Sequence, residues 1–109
     1  MNDKTLYTIS EDEYLKHLIK VNNVKRNTWQ LLFNEPHTTE SHTISLLCEI
    51  YAAASHLEIL LEELEDFFDA KEQVFYLEGD QIVKLSVLLS SSAMVKRELL
   101  KSGVSLSTH

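Results

Sequence analysis

The stretch LLCEIYAAASHLEILLEELEDFF, residues 46–68, decides the fold. Leu47, Ile50, Ala54, Leu57, Leu61, Leu64 and Phe68 succeed one another at alternating spacings of three and four. That is an unbroken heptad stripe, and it predicts a helix with one continuous apolar face. Leu46, Ala53, Leu60 and Phe67 fill the adjoining positions and widen the face beyond a two-stranded seam. A face that wide fits a helix packed between two others, so a bundle is expected rather than an extended coiled coil. Leu57, Leu61, Leu64 and Phe68 are the expected core.

Working outward, the preceding segment supplies a second helix over 11–33. Ser10 with Glu13 three residues on forms a capping box. Tyr14, Leu15, Leu18, Ile19, Val21, Val24, Trp29, Leu32 and Phe33 then recur at helical spacing. Asn22-Asn23, weak helix formers, mark where it would bend or split, and Asn34-Glu35-Pro36 stops it. Thr38, Thr39 and Ser41 are candidate caps for the central helix. On the C-terminal side, Glu78-Gly79-Asp80 reads as a turn, with Asp80 capping a third helix to Lys101 and Gly103 just past its end. A rival reading pairs Val74–Leu77 with Ile82–Leu85 as a β-hairpin.

Composition agrees with helices. Two glycines and one proline in 109 residues are few for an all-β chain, which draws on both for its turns. The expectation is therefore all-α: an elongated three-helix bundle with a central helix of about 30 residues, or about 45 Å, dimerising side by side. One helical domain spans 1–109, with 1–9 and 104–109 flexible. The single cysteine, Cys48, forms no internal disulfide, and the acidic N-terminal stretch has no signal-peptide pattern. No membrane span is expected, and a cytoplasmic location follows.

Charge is the most uneven property. The chain carries −7, and residues 58–72 alone carry −6. Glu58, Glu62, Glu63, Glu65, Asp66, Asp69 and Glu72 cluster there against one base, Lys71. Like charges three or four apart on a helix repel by a few tenths of a kcal/mol per pair. A surface kept only for solubility intersperses both signs. Glu58, Glu62, Glu63, Glu65, Asp66 and Asp69 are accordingly the expected partner-binding set, presented by one helix face to a basic protein surface. Ile44 and Tyr51, with Ile59 among the acids, mark a narrower apolar strip for a dimer or partner contact.

Other chemistries find little footing. His56 has no ligand at helical spacing, and His37, His42 and Cys48 form only a nonspecific set, so neither metal nor cofactor is expected. Cys48 lies beside Glu49, which disfavours a thiolate. The carboxylates lack a pocket signal, so no enzyme is expected. Lys20, Lys25, Arg26, Asn27 and Gln30 form the one candidate nucleic-acid surface, and the scarcity of bases elsewhere disfavours direct binding. The functional expectation is an acidic interaction module, a regulator or inhibitor. The alternatives are a dimeric secretion or assembly chaperone that binds through apolar helix flanks, and a DNA-binding regulator using the first helix.

Overall fold

The structure is a computed structural model, and it describes residues 6–33 and 41–104. The chain runs β1 (Tyr7–Ser10), α1 (Glu11–Phe33), α2 (Ser41–Leu64), a 3-10 turn (Glu65–Phe67), β2 (Phe68–Asp69), β3 (Val74–Leu77) and α3 (Gly79–Lys101). It is mostly helical. The described residues form an elongated body with extents of 54 × 29 × 19 Å.

α2 is the spine. It packs against both α1 and α3, and nine of its residues are buried, among them Leu47, Ile50, Leu57, Leu60, Leu61 and Leu64. The alternating three-and-four spacing is what lays these side chains along one broad face. Val21 and Val24 on α1 and Leu85, Val95 and Leu99 on α3 close the core around it. α1 and α2 run antiparallel, since Tyr14 meets Leu61 while Trp29 meets Tyr51. By length and composition, Ser41–Phe67 could also cross a bilayer; in this fold most of it is the central helix of the bundle.

α1 begins as its sequence predicts. The Glu13 amide donates to Ser10 Oγ at 3.1 Å. The expected break at Asn22-Asn23 does not occur, and α1 is continuous. Asn23 Oδ1 instead accepts from the Arg26 guanidinium at 2.6 Å. α3 ends in a Schellman motif: the Gly103 amide donates to the Leu100 carbonyl at 3.0 Å, and Val104 to Leu99 at 2.9 Å. Gly103 takes φ +82, where a β-carbon is strained. Val104 packs back on the core, so the expected flexible tail does not start at 104.

The all-α expectation is corrected by a small antiparallel sheet in the order β1-β3-β2. Tyr7 pairs with Leu77 and Ser10 with Val74, while Phe68 pairs with Phe75 and Asp69 with Val74. Residues 7–9, expected in a flexible arm, are thus part of a strand. Val74–Leu77 is extended, as the hairpin reading has it, but its partners are β1 and β2, and 82–85 lies inside α3. The β2–β3 turn is made without glycine or proline. Asp69 Oδ1 accepts the amides of Lys71 and Glu72, and Gln73 takes the left-handed conformation at φ 59.

Two helix boundaries also differ. α2 stops at Leu64, so the central helix has 24 residues rather than about 30. Crowded acids near a helix C-terminus oppose the macrodipole, and Phe68 gains a strand partner by leaving the helix. Phe68, expected in the core, is 36% exposed, and Phe67 beside it is 51% exposed. α3 is capped by Glu78 rather than Asp80, with the Glu78 amide donating to Gln81 Oε1 at 2.8 Å in a capping box. Pro36, Thr38 and Thr39 lie outside the described residues.

Candidate functional site

The three helices and the sheet sort the charge of the chain by position. Lys20 on α1 lies close to Lys96 on α3, and His17, Leu57 and Leu89 line a common gap. A plane near these residues divides the molecule into a sheet-bearing half and an opposite half. Residues 6–19 and 58–89, in the sheet-bearing half, carry a net −9 with histidines neutral. Residues 20–33, 41–57 and 90–104 carry +4.

The predicted acidic set does not form one helical face. Glu58, Glu62 and Glu63 are on α2, Glu65 and Asp66 on the 3-10 turn, and Asp69 on β2. Glu58 receives a 2.8 Å ion pair from Lys25 of α1. This pair holds the Lys25 ammonium above its ordinary pKa, chiefly through the hydrogen bond. Glu58 thus ties the helices together. Asp69 is occupied by the turn amides through Oδ1 and accepts the Tyr76 hydroxyl at Oδ2, 3.3 Å away. Glu62, Glu63, Glu65 and Asp66 remain exposed at the end of α2. Glu11, Asp12 and Glu13 at the start of α1 and Asp80 at the start of α3 belong to the same half, which sequence spacing alone does not bring together.

Within this half the outer face of the sheet holds a cavity of about 610 Å³. Phe67 and Tyr76 provide aromatic walls, Phe68 borders it from the core side, and Asp69 and Glu78 complete the lining. Its inner boundary is stiff. Phe68 tilts against Phe75 at 4.7 Å, Phe75 stacks on Tyr14 at 3.9 Å, and the Tyr14 hydroxyl donates to the Leu61 carbonyl at 2.8 Å. Burial first, then Glu65 and Glu62, raises the Tyr14 pKa. Tyr76 is raised too, by desolvation first and then by the charge and hydrogen bond of Asp69.

The opposite half carries a different feature. Trp29 and Phe33 lie 4.2 Å apart on α1, and Trp29 lies 6.3 Å from Tyr51 on α2. Trp29 is 50% and Phe33 64% exposed, although periodicity placed both with the apolar set of α1. Ile44 and Cys48 extend the cluster along α2, whereas Ile59 is exposed farther down it. Of the predicted contact strip, Ile44 and Tyr51 therefore join one aromatic patch and Ile59 does not. Trp29 and Phe33 sit on the side of the α1 helical wheel near Tyr51, which the sequence leaves unresolved because the stripe it predicts for α1 is too wide.

Of the candidate nucleic-acid residues on α1, Lys25 and Arg26 are drawn into other contacts, Lys25 to Glu58 and Arg26 to Asn23, while Lys20 is exposed. Of the nonspecific metal set, His37 lies outside the described residues. Among the described residues no three His, Cys, Asp or Glu side chains gather into a metal-sized group. Comparison with protein-family models, curated proteins and solved structures finds no match.

Proposed function

We propose that this chain is an acidic protein-interaction module, a regulator or inhibitor whose sheet-bearing half docks on a basic surface of another protein. The observation that carries the reading is the segregation of charge, −9 in one half against +4 in the other. Single-sign charge of this kind steers an oppositely charged partner and orients it before contact. The surface differs from the single helix face read from the sequence, because Glu58 ties α1 to α2, Asp69 is fixed by the β2–β3 turn and Tyr76, and the acids of α1 and α3 join the rest.

A second reading rests on the exposed aromatic patch of Trp29, Phe33, Ile44 and Tyr51. Exposed aromatic clusters on small domains favour apolar docking, which suits a side-by-side homodimer or a chaperone that holds an apolar client.

The test is kinetic. The partner is captured from the source cells and purified, and association is followed at low and high salt with the wild type and with Glu62→Gln, Glu63→Gln, Asp66→Asn. The triple variant is expected to associate more slowly at low salt and with a flatter salt dependence. Equal rates for the two proteins at low salt would reduce the acidic half to a solvated surface and favour the apolar reading.

A further inference from the structure

We infer that the cavity on the outer face of the sheet is an arginine-binding pocket, which receives a guanidinium side chain from the basic partner. This rests on the reading of the sheet-bearing half as the docking surface, and it adds the contact that gives specificity.

Long-range charge attracts any polycation and selects none. Selection requires a place where a cation is desolvated and matched in shape. The cavity combines the two elements such a place needs. Phe67 and Tyr76 line it with aromatic rings, whose π faces attract cations, while Phe68 backs it from the core side against Phe75. Asp69 lines the cavity beside them, and so does Glu78, whose carboxylate also accepts the Gln81 backbone amide in the α3 capping box. At about 610 Å³ the cavity has the size of a small-ligand site, with room for a long side chain and part of its flanking backbone.

Of the two basic side chains, arginine fits better. Its guanidinium is planar, weakly hydrated, stacks on aromatic rings and donates in a fork to carboxylates. A lysine ammonium keeps its water more tightly and has no plane to stack. The carboxylate of Asp69 is held in place before any ligand arrives, because Oδ1 accepts the Lys71 and Glu72 amides and Oδ2 the Tyr76 hydroxyl. A fixed acceptor loses little freedom on binding. Phe67 has a simpler role. It is half exposed on the 3-10 turn and lies outside the buried core cluster, so it lines the cavity while contributing little to the fold.

The probe is the blocked pentapeptide Gly-Gly-Arg-Gly-Gly, titrated into the full chain by NMR, with citrulline and lysine versions and free guanidinium ion as comparison arms. The arginine peptide is expected to shift Leu6 and Ala70, which line the cavity, and to leave Trp29 unmoved. Citrulline keeps the shape and removes the charge, and should bind at least about ten-fold more weakly. Phe67→Ala should weaken the arginine peptide by a similar factor while its spectrum stays folded. Tyr76→Phe, a second variant, should weaken it less, since the ring remains.

Equal binding of citrulline and arginine, or no effect of Phe67→Ala with shifts spread over the acidic surface, would overturn the pocket. Equal binding of lysine would overturn the preference for guanidinium, and equal binding of the free ion would overturn a peptide side chain as occupant. The readings fail separately. If Phe67→Ala binds like wild type while the Glu62, Glu63 and Asp66 variant still slows the captured partner, the docking surface stands and the pocket falls. If the triple variant has no effect on the partner but the arginine peptide still requires Phe67, the pocket stands without the steering.

Discussion

Two buried hydroxyls on α1 have opposite consequences. The Tyr14 hydroxyl donates to the Leu61 carbonyl, while the Thr28 hydroxyl is buried with no partner among the described residues. A satisfied buried hydrogen bond is worth about 1 kcal/mol net, and an orphaned polar atom costs about 1–3 kcal/mol. Tyr14→Phe should therefore lower stability by about 1 kcal/mol, the net worth of the lost hydrogen bond. Thr28→Val, nearly equal in volume, should raise stability by about 1 kcal/mol. Denaturant unfolding of both variants checks the pair, and a Thr28→Val protein less stable than wild type would mean the hydroxyl has a partner. Also on α1, desolvation holds the His17 pKa below its ordinary value, with Lys20 adding to that effect and Glu13 opposing it. The unfolded chain then binds the proton more readily, so this group removes stability as pH falls below about 6.5. His17→Gln should flatten that part of the stability curve. An unchanged slope would place the imidazole in solvent.

At the scale of the element, the acids that end α2 carry a cost. Glu62, Glu63 and Asp66 are exposed at or just beyond the negative end of the helix dipole. Neutralising all three should leave the fold intact and raise its melting temperature slightly, by a few tenths of a kcal/mol per relieved pair. A large loss of stability would show that these side chains make structural contacts. What could be read from the sequence follows the same division. α1 was legible to its ends because Ser10, Glu13 and the apolar repeat agree. The core of α2 was legible because its spacing never breaks. Its end was not, because Phe67 and Phe68 continue the heptad in register although the chain has already left the helix. The strands are four, two and four residues long, too short for period-two alternation to stand out. Their turn uses an Asp side chain and a left-handed Gln in place of the Gly and Pro that signal turns.

At the scale of the molecule, the fold turns an uneven sequence into an uneven object. A charge run confined to residues 58–72 in one dimension becomes, in three, one acidic half assembled from three helices and a sheet. The candidate surface was thus half legible: the acids at the end of α2 were visible, but neither the acids of α1 and α3 nor the cavity beside them was. Aromatic residues reach the surface in both halves, with Phe67, Phe68 and Tyr76 among acids and Trp29, Phe33 and Tyr51 away from them. These two surfaces correspond to the two readings, so the location of bound partner decides between them. Amide hydrogen exchange, compared between the free chain and its complex with the captured partner, reports that location directly. The account predicts new protection over residues 65–78, with the amides around Trp29, Phe33 and Tyr51 unchanged. Protection confined to residues 29–33 and 44–52 would contradict it.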